Sequence, residues 1–482
     1  MEMRILLLVL ALQGCASPYF HDAGSPPPPV PVSVESWPHR ELWSGVVFNG
    51  EKIGFTRREV RAAADAPGRW EIESEAVMRL QFLGVDKRIR LRSLDRVRAD
   101  LTLEAFSYEH EIDGSRMQVS GNAEAASLSL SVKARGSDEK KILKLEKPVY
   151  PTSALAFLPL QDLRIGHRAR YTVFHGETQA LAEAELEVLA YETSPLFEGA
   201  AFKVATRLLG LETTTWISAD GRPLFELAMN GVLISALEDE ERARRTLVEA
   251  SLNKRDALVD FSLLHAGPIS EPRRVSRMEI VLAGVPRGFE VSNPQCRRAG
   301  ERLECRIDRS AVIPGNDYQR HLAPTLAAPS VLEEIASLAR RIALGAASDD
   351  ERIARLIAWM DANIAKEAVD VFTAADVLRA RRAECQGHAY LFAAFARALG
   401  IPARVVNGIA YSEEHAGFLY HSWNEAWIAG RGWRPVDATF GQAHADATHV
   451  KLIEGESAAE LLPLVQLVGR VRVESVAATS RW

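Results

Sequence analysis

The hydrophobic period of this chain changes near Ser330, and that change constrains its fold more than any other feature. From Leu42 to about Asp260, apolar residues alternate or fall in short runs between turn residues, as in Gly45-Val46-Val47-Phe48, Lys52-Ile53-Gly54-Phe55 and Lys87 to Leu94. After Ser330 they recur every three or four positions. Strands first and helices afterwards predict an α+β fold with a large antiparallel sheet. Asn49-Gly50 between two strand-like runs predicts a hairpin, because both residues accept positive φ. A second hairpin is predicted from Thr213–Ile217 to Leu224-Phe225 across Ser218–Pro223. The arginines Arg88, Arg90 and Arg92 alternate with apolar residues and read as a solvated sheet face.

Helix starts are marked by capping pairs. Ser330 with Glu333 predicts a helix to about Leu344, Ser348 with Glu351 opens a second, and Thr373 with Asp376 a short third ending near Arg381. The fourth begins at Cys385 and runs to Leu399, where Gly400 and Pro402 stop it. Strand-like Arg404–Tyr411, His421–Ile428 and Trp433–Phe440 follow.

Cys385 therefore opens a helix, where unpaired backbone N–H groups and the positive end of the macrodipole favour thiolate. His421 lies 36 residues on and Asp437 a further 16. Ala429-Gly430-Arg431-Gly432 is a turn, so the strands carrying His421 and Asp437 are expected to pair. An imidazole held by a carboxylate can take the thiol proton and return it to a leaving group. A symmetric turn would set Asn424, not His421, opposite Asp437, so the pairing needs a bulge or an off-centre turn.

Four stretches carry a resemblance: Glu384-Cys385-Gln386-Gly387-His388-Ala389, Leu399 to Val406, His421 to Trp427, and Trp433 to Thr439. Together they resemble the bacterial transglutaminase-like superfamily over roughly Arg340 to Leu452. The resemblance implies a papain-like α+β domain with Cys385 as nucleophile, His421 as base and Asp437 as the orienting acid. Ala438 stands where the family often has Pro, and Ala383-Glu384 where many members have Gly. The Gly-Val-Val-Phe-Asn-Gly-Glu-Lys-Ile-Gly core of Trp43–Phe55 resembles β regions that precede some bacterial members.

The start of the chain bears on compartment. Ile5–Leu12 is apolar, far shorter than the roughly 20 residues that span a bilayer, and shaped like a signal-peptide core. Leu12-Gln13-Gly14-Cys15 resembles the bacterial lipobox, which implies lipidation at Cys15, and Ala16 favours the periplasmic side of the outer membrane. Pro26–Pro29 reads as a stiff tether. Cys296 and Cys305 flank the turn Ala299–Arg302, and export makes a disulfide between them the expectation. The organisation read from sequence is a signal peptide at 1–14, a Pro-rich tether at 15–40, a β-rich domain at 41–265, a small β region at 270–325 and a catalytic domain at 326–482.

With a net charge of -6 and no basic cluster, the chain is not expected to bind nucleic acid. Zinc on Cys385, His388 and His421 lacks a fourth ligand and a second ligand pair, so neither metal nor cofactor is expected. Trp423, Trp427, Trp433 and Trp359 read as packing residues, His388 as a helix residue flanking the cleft, and Asp446 with His449 as a surface turn or a group behind the triad. Two functional readings stand. One is an envelope thiol enzyme that cleaves or transfers amide acyl groups of a protein or peptide substrate through a Cys385 thioester, anchored to the membrane by its N-terminal lipid. The other is a non-enzymatic envelope binding or scaffold protein with a vestigial triad.

Overall fold

The structure, a computed structural model, describes residues 19–48, 51–82, 85–228, 233–245, 263–286, 289, 295–307, 317–465, 467 and 470–480. The signal-peptide segment, Cys15 and the Asn49-Gly50 turn lie outside these residues. The fold is α+β, with a large antiparallel sheet first and helices second. No helix among the described residues is long and apolar enough to cross a membrane.

The large sheet is built of sequential antiparallel strands, with one parallel pair of Val149–Pro151 and Arg168–His175 at an edge, and its two halves join where Leu233–Glu238 pairs with Glu41–Phe48. Strict alternation gives it two unlike faces. Outward positions carry ion pairs such as Arg61 with Glu73 at 2.8 Å and Arg92 with Glu75 at 3.1 Å, the solvated face that the arginine alternation predicts. Inward Val60, Ile72 and Val97 meet Val188, Phe202 and Val204 from the opposite half, so the sheet curls around its own core. The Thr213–Ile217 hairpin forms as expected, with Trp216 opposite Phe225.

The tether expected at 15–40 is not a free spacer over its described part. His21–Asp22 pairs with the strand Ala180–Ser194, and Phe20 stacks on Trp216 at 4.2 Å. Val34 and Trp37 are buried in the sheet's core, with the Trp37 indole N–H donating to Gly221 O at 3.1 Å. Burial of Val34 and Trp37 removes apolar surface from water and so favours docking of this segment on the sheet.

Among the helices, Asp349–Asn363 and Ala374–Ala380 are capped by Ser348 and Thr373 as predicted. The first helix differs, running Glu333–Ile342 with Leu332 at its N-cap and no side-chain cap. Ser330 is buried, and its N–H bonds Ala328 O instead. Cys385–Ala398 is central, and its apolar residues are buried on nearly every side by the other helices and by the sheet of Ala403–Ser412, Gly417–Ile428 and Gly432–Val436.

The expected division between 270–325 and 326–482 is not a division of the fold. The C-terminal strand Arg472–Ser480 pairs with Val275–Ala283, and Leu264–His265 pairs with the His421 strand. Met278 and Ile280 share one core with Tyr411, Phe418 and Val450. In the same small sheet Cys296 lies opposite Cys305, and the two are joined by a disulfide.

Candidate active site

Cys385 is the first residue of its helix, a free thiol and partly exposed. Its N-cap, Glu384, makes no side-chain capping bond. The unpaired N–H groups of the first turn are therefore left to act on whatever sits at the sulfur. Gly387, one turn in, lets the helix end dock closely: a Cβ there would lie 2.6 Å from Ala383 Cβ and 2.9 Å from Val371 Cγ2.

His421 reaches the site from the strand Gly417–Ile428. The hairpin register differs by one residue from the symmetric expectation, with Ile428 opposite Gly432 and Asn424 opposite Val436. A one-residue slip moves every side chain to the other face. Asp437 is thereby brought to the face of His421 and Trp423, away from Asn424, whose amide instead donates to Ala389 O at 3.0 Å. Asp437 then leaves the ladder and bridges to Gln442. His421 Nε2 and Asp437 Oδ2 are 2.8 Å apart, which leaves Nδ1 as the ring nitrogen available to the neighbouring Cys385, whose sulfur raises the pKa of His421. The structure thus brings Cys385, His421 and Asp437 together.

Both members of the pair are buried. Burial disfavours the imidazolium of His421, but the Asp437 charge, its hydrogen bond and the Cys385 sulfur outweigh it, raising His421 to about 9. Burial likewise opposes ionisation of Asp437, yet His421 and His449 hold it well below the ordinary carboxylate range. Asp437 Oδ1 accepts the N–H groups of Thr439 at 2.7 Å and Phe440 at 3.1 Å, which fixes the carboxylate plane.

The expectation of a surface turn at Asp446 and His449 is overturned, since both are almost fully buried. His449 Nε2 lies 2.9 Å from Asp437 Oδ2, and its Nδ1 faces Asp446 O at 3.1 Å and Asp446 Oδ1 at 3.3 Å. With acceptors at both ring nitrogens the ring holds two protons. Burial opposes this, but Asp446 and Asp437 raise His449 to about 9. Arg273 closes the chain, bonding Asp446 Oδ2 at 2.9 Å and lying 3.8 Å over Phe440, which stacks on His421. The i,i+3 spacing of Asp446 and His449 was legible in sequence; Arg273, remote in the chain, carries no signal there.

A second group missed by sequence reasoning lies under Glu384. Lys87, on the strand Val85–Arg98 of the β region, is buried with Asp370 at 2.5 Å and Glu384 and Asp113 each at 4.0 Å. Burial pushes the Glu384 carboxyl well above its usual range, Asp370 adds to this and Lys87 opposes it. Nearby, Ser115 and Arg135 of the β region bond the buried Asp376 at 2.7 and 2.9 Å. The β region therefore grips the segment that leads into Cys385.

His388 is fully buried rather than flanking a cleft, and its Nδ1 is paired with Glu384 O at 2.9 Å. His421, Asp437 and His449 bring three donor atoms within 4.8 Å of one another. Both imidazoles converge on one oxygen, Asp437 Oδ2, which is the arrangement of two N–H donors sharing an acceptor. Metal ligation would need both nitrogens deprotonated and turned to a common point. Trp423 and Trp433 are buried, and Trp427 stacks on Tyr318 at 4.4 Å, as packing residues.

Residues 336–438 match the transglutaminase-like superfamily. Mouse kyphoscoliosis peptidase is 31% identical over 117 residues, which cover 22% of this chain and 18% of that relative's length. A solved candidate cysteine protease from Cytophaga hutchinsonii shares 18% identity with a TM-score of 0.27, over 46% of this chain and 85% of that one. A β-barrel-like protein of a domain of unknown function from Brucella abortus shares 10% identity with a TM-score of 0.33, over 41% of this chain and 95% of that one. The match at 336–438 spans Cys385, His421 and Asp437, and this part of the chain is a transglutaminase-like superfamily domain.

Proposed function

We propose that the protein is a thiol enzyme acting on amides by acyl transfer, with Cys385 as nucleophile, His421 as base and acid, and Asp437 as the group that orients and charges the imidazole. The observation that carries this is His421 hydrogen-bonded to the buried Asp437 carboxylate and lying beside Cys385 at an uncapped helix N-terminus. Cys385 Sγ attacks the amide carbonyl carbon while His421 takes the thiol proton. The Cys385 N–H and the helix end stabilise the oxyanion. His421 then gives its proton to the leaving amine as the C–N bond breaks, leaving a thioester. Water or a second amine attacks the thioester, loses a proton to His421, and the thiol is restored.

Hydrolysis is the favoured second half, so the substrate is a protein or peptide and the activity is protease- or amidase-like. The reading extends to an envelope location. The Cys296–Cys305 disulfide supports an oxidising compartment, and Leu12-Gln13-Gly14-Cys15 supports a lipid anchor at Cys15 on the periplasmic side of the outer membrane. The test is mass spectrometry of peptide amides incubated with the protein, with and without a primary amine. Products that vanish in Cys385→Ala and His421→Ala are expected, and the mass gained reads water against amine. Identical product spectra for wild type and Cys385→Ala would overturn the assignment.

A further inference from the structure

The interior of the β region changes character part-way along its strands. Val60 and Ile72 face the packed core, but two residues back on the first strand, and two on along the second, the inward pair is Arg58 opposite Ser74. Ser93 continues that row on the next strand, opposite Ser74. These residues line a cavity of about 410 Å³. That size lies within the range of small-molecule sites, roughly 300–1,000 Å³. Leu42, Val46 and Leu91 line it as well.

Arg58 is the anomaly. Its Nε is buried with no hydrogen-bond partner, and the rest of the side chain is half-buried. Burial holds it below the ordinary arginine range, and the opposing charge it feels is that of Glu226. Glu226 Oε2 already accepts the Thr215 hydroxyl at 3.1 Å. The other arginines at the wall are engaged on the outer face, Arg57 by Glu41 and Glu59 and Arg92 by Glu75. His110 and His175 also border the space, as do the carboxylates Glu177 and Glu226, and burial lowers the pKa of each histidine, so at neutral pH Arg58 is the inward-facing cation among them.

A guanidinium whose Nε is buried without a partner costs stability that an aliphatic residue would not. The neighbouring inward positions on the same strands are apolar, Val60 and Ile72. We propose that this cavity binds an anionic amphiphile, one carboxylate or phosphate held by Arg58 with the hydroxyls of Ser74 and Ser93, and a short hydrocarbon tail lying against Leu42, Val46 and Leu91. A charge-assisted bidentate contact to guanidinium suits either headgroup. The site is separate from Cys385 and does not depend on the acyl-transfer reading.

Calorimetric titration of the purified protein with decanoate, decyl phosphate and decanol, each below its micelle concentration, tests this. Saturable binding of at least one anion is expected, and the stronger of the two identifies the headgroup. Arg58→Met should weaken that anion about 10- to 100-fold while leaving decanol unchanged. The same variant should melt no lower than wild type, because it removes a buried Nε that has no hydrogen-bond partner. The proposal is overturned if neither anion binds, if decanol binds wild type as tightly as the anions, if Arg58→Met binds the anion equally well, or if it melts lower and so marks Arg58 as structural.

Discussion

Replacing Asp437 by Asn isolates what the buried carboxylate does for His421. Taking the imidazole from its ordinary 6.5 to about 9 amounts to about 3 kcal/mol of preference for imidazolium, despite burial working the other way. Asn removes that charge with little change of shape. Its oxygen keeps the Thr439 and Phe440 N–H groups, so its amide N–H₂ must face His421 Nε2 and His449 Nε2. A donor opposite Nε2 selects the tautomer with its proton on Nδ1, the nitrogen left for Cys385, and that tautomer cannot take the thiol proton. Loss of about 3 kcal/mol predicts an alkylation rate of Cys385 by iodoacetamide at pH 7 lowered about 100-fold. Intact near-UV dichroism would show that the fold survives. The pair also predicts a stability window. The raised pKa of His421 means its contribution is complete below about 6.5 and is lost as pH rises through about 9. The depressed pKa of Asp437 means its contribution is present above its ordinary 3.8 and is lost as pH falls below that. Both limbs describe one interaction. An alkylation rate in Asp437→Asn close to wild type would refute the reasoning, whatever the melting curve shows.

Other perturbations follow from the surroundings of the pair. Lys87→Met leaves Asp113, Asp370 and Glu384 without their buried cation and should cost about 3 kcal/mol, read as a lower melting temperature, with slower alkylation of Cys385. An unchanged melting temperature would remove Lys87 from that role. His449→Gln takes a positive charge away from Asp437, so the alkaline limb of the Cys385 alkylation profile should move to higher pH; a downward shift would contradict the electrostatic account. Reduction of Cys296–Cys305, which closes a loop with a sequence separation of 9, should cost about 3 kcal/mol of loop-closure entropy. Melting curves with and without reductant measure it, and coincident curves would show that the hairpin is equally ordered without the bond.

The parts of this fold legible in sequence are those set by local periodicity and short spacings. Alternation around Arg90 marked the sheet face, and Ser348 and Thr373 marked helix starts because a cap and its partner lie three residues apart. Cys385 at a helix start followed from the same local pattern. Asp437 was identified by type, while its position depended on a hairpin register that a turn between two glycines can shift by one. Residues joined only by tertiary structure were not legible. Arg273 meets Asp446 across 173 positions, and Lys87 meets Asp370 and Glu384 across almost 300, with no local pattern to announce either. Trp37 escaped notice for a related reason: one aromatic after a proline tract looks like a linker until a core exists to receive it.

The arrangement of Glu384 ties these observations to the helix start. An acid at an N-cap ordinarily folds back to bond the first-turn N–H groups. Here such a bond would occupy the donors that an oxyanion needs and place a negative charge beside the sulfur. Glu384 instead turns towards Asp370 and Lys87, and burial pushes its carboxyl pKa well above the usual range. The helix end stays uncapped, and its first-turn N–H groups remain available at Cys385. Because Lys87 belongs to the β region, that region takes part in setting the chemistry of the helix start as well as packing beside it. The Asp376 contacts with Ser115 and Arg135 act in the same sense, fixing the helix that precedes Glu384. A C-terminal segment cut away from the β region would therefore keep Cys385, His421 and Asp437 but lose Lys87 from the group around Glu384. Glu384 would then be free to close over the first turn and take its N–H groups.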